Sequence, residues 1–570
     1  MAIQQTEVDG VPTLVVPSGG PTVAGLAFRV GRADESLARC GITHMLEHLA
    51  LFPLGLTDYH YNGTTEATVT TFHTTGSGED IVAFFAAVCA SLSSLPMHRL
   101  EAEKSIVRTE LANQGSSVFE PLQVWRYGAR GYGLLGYDEI GIHGLTPEAL
   151  DEWSRTWFTR GNAVLWVVGE VPAGLRLPLP DGERKRVPEA TSALPVIPAY
   201  FSQGGNTTNI AMQAVVRRRA AATVFAEVLQ RNLFRDLRQD GGLSYSPNAS
   251  VDPRGDGCGI LSACVDALPQ HVDAVLGGFI DTLAKLKVGR IEEDDVKSCL
   301  ALAEEMARHP DAEAATLPMR AFELLTGLPV RDIDQRLADL RAVTVADVHD
   351  VANEVMTTAL LMVPEGRRAD WAGFAAAPTR SSHTVSGQRY RSLESGELSL
   401  HVAADGVSLM CADDPITVLY SETAAMLAWP DGARRLIGND AFIVHIEPTL
   451  WKLPAGALAP VDAAVPADRV AVMPARTPDD IPTPSPRSRQ AGGGPVGRRG
   501  WSPGQLVGLI ASFVVATMLL CLAGAFTLTA ATEDPSAADA IGWGWAVGTY
   551  ACTGAALAPA ILLLARRRRR

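Results

Sequence analysis

Two histidines and a glutamate stand within five residues of an apolar run, Thr43-His44-Met45-Leu46-Glu47-His48-Leu49. On a helix, His44 and His48 lie one turn apart on the same face, where both imidazoles can reach one ion. Glu47 sits beside them, about 60° round from His44. Leu46 and Leu49 would face the core and hold the helix while the polar face looks into a cleft. Zinc takes nitrogen and carboxylate ligands in a tetrahedron, and a catalytic site uses three protein ligands and leaves the fourth position for water. Two histidines are therefore a fragment, and by themselves they read as a pair on a solvated helix face. The full H-x-x-E-H pattern, in a chain with 12 histidines, tips the balance towards a metal.

The missing ligand should be a carboxylate on another element. In "LEAEKSIVRTELANQ" Glu103 and Glu110 are seven residues apart, which returns them to the same helix face within about 20°, with Glu101 on the opposite side. One helix can thus offer Glu110 to a metal and Glu103 as an acceptor that orients a histidine. Without the first motif these would be solvated charges.

The first pattern is the inverted metalloprotease motif. Together the two motifs resemble those of the pitrilysin, or insulinase, family of zinc metallopeptidases, which includes mitochondrial processing peptidase. The resemblance implies one Zn2+ per active site, bound by His44, His48 and Glu110, with Glu47 as general base and Glu103 as a supporting carboxylate. "YNGTTEATVTTF" is similar to the family's substrate-binding edge strand, with Asn62 in the matching position. "LTPEALDEWSRTWFTRGNAVLWVVGEV" resembles the segment that closes the family's first domain. "LFRDLRQDGGLSYS" is similar to its Arg-x6-Tyr element, giving Arg238 and Tyr245 as donors to the substrate. Read without the resemblance, Arg238 is a cation near a helix C-terminus, with Gly241 and Gly242 ending the helix and Tyr245 starting a strand. The segment "LALFPLGLTDYH" is shorter than the family usually has, which implies a more open cleft.

These motifs need a scaffold, and the chain divides by pattern into segments that could supply one. Residues 1–190 and 191–365 each mix strand-like runs such as "GLAFRVG" and "NAVLWVVGEV" with helical runs such as "EDIVAFFAAVCASLSSL" and "AATVFAEVLQRNLFRDLRQD". They read as two similar α+β domains of the metallopeptidase type, joined through "DGERKRVPEATSALPVIP". Residues 383–475 change character: "GELSLHVAADGVSLMC" alternates, turns at Asp405-Gly406 and resumes, which predicts a hairpin. Further turns at "PDG" and "GND" predict a small β-rich domain, resembling the pleckstrin-homology type. Residues 476–506 form a Pro/Gly/Arg linker. Residues 507–530 and 541–565 are apolar enough to cross a bilayer as two helices. Arginines flank the pair on both sides and an acidic loop separates them, so the positive-inside rule puts the peptidase domains and C-terminus in the cytoplasm.

Composition excludes some partners. A formal net charge of -14 gives nucleic acid no broad electrostatic reason to bind. The amino terminus lacks the basic and apolar regions of a secretory signal, and the 8 cysteines form no CxxC pair, so they read as reduced core and membrane residues. The resembled family encloses an extended peptide or unfolded protein between two halves of two domains each. This chain supplies one half, which implies a homodimer, or a heterodimer with a related chain, in which Arg238 and Tyr245 act in trans. A catalytically silent member scaffolding a partner subunit is one rival reading, and a complete ligand set speaks against it; a membrane sensor acting through the β-rich domain is the other.

Overall fold

The computed structural model describes residues 3–55, 60–113, 115–205, 207–411 and 414–484. The linker beyond 484 and the two apolar stretches at 507–530 and 541–565 lie outside the described residues, as do Cys521 and Cys552. Among the described residues no single helix is long and apolar enough to cross a membrane.

The first sheet is drawn from residues 4–168. Its strands are β1 (Gln4–Val8), β2 (Val11–Val16), β3 (Thr22–Phe28), β4 (His60–Thr65), β5 (Thr70–Gly76) and β6 (Ala163–Val168), in the order β1-β2-β6-β3-β5-β4. Three helices line one face: α1 (Ile42–Leu51), α2 (Gly78–Ser93) and α3 (Leu100–Asn113). Their apolar stripe meets the sheet in a core that includes Leu46, Leu49, Phe72, Phe84 and Phe85, all 0% exposed. The other face carries Leu14, Val164 and Trp166, covered by Leu317, Ala321 and Leu325 from a helix of the second domain. Burial on both faces explains why "AVLWVV" is continuously apolar rather than alternating.

The second sheet repeats this plan with β7 (Ala199–Gln203), β8 (Ile210–Arg217), β9 (Asn248–Pro253), β10 (Cys258–Val265), β11 (Leu360–Pro364) and β12 (Ala375–Ala376), in the order β12-β7-β11-β8-β10-β9. Between the two sheets, residues 169–198 form no strand or α-helix. Arg184 pins this strap to both domains, donating to the carbonyls of Gly161 (2.7 Å), Ala163 (3.0 Å) and Leu324 (2.9 Å).

Residues 388–472 form two further small sheets. One joins β13 (Gln388–Arg391), β14 (Leu398–Val402), β15 (Gly406–Cys411) and β16 (Asp414–Leu419) in sequence order. The expected hairpin is β14–β15, turning at Asp405-Gly406 with Val402 opposite Val407. The other sheet holds β17 (Thr423–Ala428), β18 (Arg434–Gly438), β19 (Ile443–Ile446) and β20 (Val470–Val472), in the order β19-β18-β17-β20. Pro430-Asp431-Gly432 and Gly438-Asn439-Asp440 make its turns. The linker begins attached to this domain: Arg476 donates to Asp431 (2.7 Å) and to Glu447 (2.6 Å). Cys411 departs from the expected buried cysteines, because it is the last residue of β15, opposite Asp414 at the start of β16, and is exposed.

Helix α1 starts without a cap of its own. Gly41 at its N-cap is left-handed (φ 93°), and Glu35 supplies the acceptor, taking the backbone N–H groups of Gly41 (2.8 Å) and Thr43 (2.9 Å). Burial pushes the Glu35 carboxyl up to about 7, against the opposing pull of the Thr43 hydroxyl and those two amides. The folded chain therefore holds a proton that the unfolded chain releases. This contribution to stability is complete below the ordinary value of 4.5 and is lost as pH rises through 7. Relative to Glu35→Gln, which has no such group, the wild type should lose about 3 kcal/mol between pH 4.5 and 7.5. Denaturant titrations of both proteins across that range would detect it, and parallel pH slopes would exclude it.

Candidate metal centre

His44 and His48 project from the same face of α1, their rings 4.9 Å apart. Met45, Leu46 and Leu49 on the opposite side are fully buried and fix the helix. Helix α3 lies across this face and brings Glu103 and Glu110 to the two rings. The Oε2 atom of Glu110 is 3.8 Å from His44 Nε2 and 3.4 Å from His48 Nε2. Donor atoms about 2.05 Å from a tetrahedral zinc are about 3.3 Å apart, so this spacing is close to what such an ion requires. One donor atom from each of the three residues lies within 4.8 Å of the others.

The opposite ring nitrogens are occupied by carboxylates. His44 Nδ1 is 2.9 Å from Glu139 Oε2, and His48 Nδ1 is 3.5 Å from Glu103 Oε2. A carboxylate on Nδ1 favours the tautomer that carries its proton there, leaving Nε2 as the donor to a cation. Glu103 is itself held by Arg99 at 3.1 Å, and Glu101 points away, with its side chain 83% exposed. Four glutamates thus surround two imidazoles. Burial opposes charge on His44, but the hydrogen bond and charge of Glu139, with Glu47 and Glu110, outweigh it and raise the imidazole to about 8. With three donor atoms at this spacing and a carboxylate behind each ring, the residues present fit zinc.

Glu47 sits behind the two histidines, against strand β4. The Thr65 hydroxyl donates to its Oε2 atom at 2.6 Å. Burial raises its pKa above the usual carboxylate range, although Thr65, His44 and His48 pull it down. Gly63 on β4 makes room for this side chain: a Cβ there would stand 2.6 Å from Glu47 Cγ and Oε1. Gly63→Ala should displace the carboxylate from the Thr65 hydroxyl; a crystal structure of the variant would test this, and an unmoved Glu47 would show that the space at Gly63 is not needed.

Among the described residues strand β4 is an edge of the first sheet, and Asn62 on it is exposed, its Oδ1 accepting from Gly63 N at 3.0 Å. A cavity of about 420 Å³ is lined by the two histidines, Glu47, Glu103 and Glu110 on one side and Tyr61, Asn62 and Gly63 on the other. The five motif residues and Asn62 therefore meet in one place. The shortened segment after His48 falls partly on residues 56–59, outside the described residues.

Arg238 and Tyr245 come together elsewhere and do not line this cavity. The guanidinium of Arg238 lies over Tyr245 at 4.9 Å and over Phe234 at 4.8 Å. The helix Ala220–Leu233 continues as a π-helical turn, Phe234–Asp240, before Gly242 takes φ 59°. Tyr245 does not start a strand; β9 begins at Asn248 and Tyr245 is 72% exposed. The reason is Asp266, whose carboxylate accepts from Ser244 Oγ (2.8 Å), Tyr245 N (3.1 Å) and Ser246 N (2.8 Å) and holds the segment as a loop.

Sequence reasoning missed Thr65, Glu139 and Asp266. Thr65 stood inside a strand already singled out, where a hydroxyl on the helix-facing side was a usable signal. Glu139 lies 95 residues from its partner His44 and belongs to no periodic pattern.

Residues 209–302, within the second domain, match the family model described as the peptidase M16 inactive domain. No curated protein matches the chain. Among solved structures, a protease from Helicobacter pylori is similar at 16% identity and a TM-score of 0.54, over 64% of this chain and 100% of that one. A peptidase M16 inactive domain from Pseudomonas fluorescens is similar at 14% identity and 0.53, over 65% and 99%. The periplasmic protease PqqL from Escherichia coli is similar at 12% identity and 0.53, over 72% of this chain and 55% of that one. The chain thus has an M16-like, two-domain peptidase fold, followed by the two small sheets.

Proposed function

We propose that this chain is a zinc-dependent endopeptidase acting on extended peptides or leader segments. The observation that carries the reading is the convergence of His44 Nε2, His48 Nε2 and a Glu110 carboxylate oxygen, each histidine backed by a further glutamate. Zinc bound there would act as a Lewis acid on the scissile carbonyl and acidify a water. Glu47 takes the proton from the attacking water and returns it to the leaving amine, and Thr65 holds the carboxylate for both steps. A peptide adding to the edge strand β4 beside Asn62 is fixed in register by main-chain hydrogen bonds. That mode selects unfolded segments.

The alternative is a catalytically silent scaffold, and the inactive-domain match gives it weight. That match covers residues 209–302 only, whereas the ligands and the base lie between His44 and Glu110. The decisive experiment measures zinc content and cleavage of an unstructured peptide library by the full chain. One zinc per chain with cleavage lost in Glu47→Gln supports the enzyme; zinc-free, inert wild type supports the scaffold.

Arg238 and Tyr245 act on the substrate from a second copy of the chain or a related one. In support, they do not line the zinc cavity, and this chain spans 55% of the PqqL protease. A one-to-one mixture of Glu47→Gln and Tyr245→Phe chains, each inactive alone, should regain about a quarter of wild-type activity, because half the dimers carry one intact site of two. No recovery would refute action in trans. The stretches 507–530 and 541–565 anchor the enzyme as two spans on the cytoplasmic face of the cell membrane, which resistance to alkaline extraction would check.

A further inference from the structure

The two-sheet domain at 388–472 is joined to the back of the metal centre. Its second sheet is apolar on both faces. Met426, Leu436 and Val470 point into the domain's own core, while Ala425, Leu427, Ile437 and Ala471 point out of it. A sheet with one face in water would alternate polar residues there. Instead this outer face packs on Leu37, Ala38 and Cys40, just ahead of α1, and on Ala129 and Leu134 of the segment leading to Glu139.

Polar contacts fix the same junction. Ala129 N donates to Asn439 O at 3.1 Å, and Gly128 approaches so closely that a Cβ would stand 1.9 Å from that oxygen. Within the segment, Cys40 Sγ is 3.4 Å from Asp138 O and receives Gly141 N at 3.5 Å. Arg32 donates to the carbonyls of Leu134 (3.2 Å) and Tyr137 (2.7 Å), and its Nε is 3.7 Å from Glu139 Oε1. The domain thus clamps the two stretches that carry Glu35, the acceptor at the start of α1, and Glu139, the acceptor of His44 Nδ1.

We propose that the 388–472 domain is a buttress of the metal centre, in which Leu427 and Ile437 are positioning residues that hold Glu139 against His44. The proposal rests on the zinc reading above. It makes zinc affinity depend on residues of a domain that contributes no ligand.

The test uses the full chain. Zinc affinity is measured by competition with a chromophoric chelator, and docking by hydrogen exchange of residues 128–144. Glu139→Gln should weaken zinc about tenfold or more, as loss of a ligand's hydrogen-bond partner does. Ile437→Asp should speed exchange in 128–144 and weaken zinc about as much, while Ile437→Val restores both. Combined with Glu139→Gln, Ile437→Asp should add little, because both act through one contact. Leu427→Ala replaces Ile437→Asp if the latter does not fold. Val444→Ala, in the domain's own core, controls for lost stability and should leave zinc affinity unchanged. Faster exchange with wild-type zinc affinity, full additivity with Glu139→Gln, or no change in exchange from either interface variant would each overturn the proposal. Wild-type protein that binds no zinc would overturn the zinc reading and the buttress together, and is recognised without any variant.

Discussion

Replacing Glu47 with glutamine will lower kcat/KM for peptide hydrolysis about a thousandfold and leave one zinc bound per chain. Glutamine has the shape of the native side chain, so the Thr65 hydroxyl keeps an oxygen to donate to and Gly63 still leaves room. It cannot accept a proton from water. General-base catalysis is worth on the order of 100- to 10,000-fold, and here the base is buried with its pKa raised, nearer to working pH than a surface carboxylate. The measurement is single-turnover cleavage of one sequenced peptide, with zinc quantified on the same sample. Retention of more than a tenth of the activity would remove Glu47 from this role.

His48→Ala will remove the metal. One of three ligands disappears, its Nε2 atom 3.4 Å from Glu110, and zinc affinity should fall about a hundred- to a thousandfold, with activity lost in dilute zinc. The fold should survive, because α1 is held by Met45, Leu46 and Leu49 on its other side and Glu103 keeps its contact with Arg99. Chelator competition and circular dichroism separate these two consequences. Unchanged zinc binding in His48→Ala would place the metal elsewhere.

Much of this centre was legible because its parts are local. His44 and His48 share a face through a spacing of four, and Glu103 and Glu110 through a spacing of seven; both follow from helical geometry before any neighbour is known. The apolar side of each helix was legible for the same reason. The hairpin at Asp405-Gly406 announced itself by alternation and a turn pair. Tyr245 was harder: β-branched and aromatic propensity favours a strand there, but three donors satisfied by one distant carboxylate, Asp266, outweigh it. The role of the 388–472 domain had no local signal either. Small apolar residues on both sides of β17 say that two faces are buried and do not say against what.

Local spacing alone puts His44 and His48 on one helix face and Glu103 and Glu110 on another, since periodicity is a property of neighbouring residues; the roles of base and ligand rest on the family resemblance. Tertiary structure decides which nitrogen of each ring is left to face the cavity. That choice belongs to Glu139 and Glu103, acceptors on the far side of each ring, and to the packing that holds them. A hydrogen bond between residues 95 apart depends on how whole elements dock, and leaves no period in the chain.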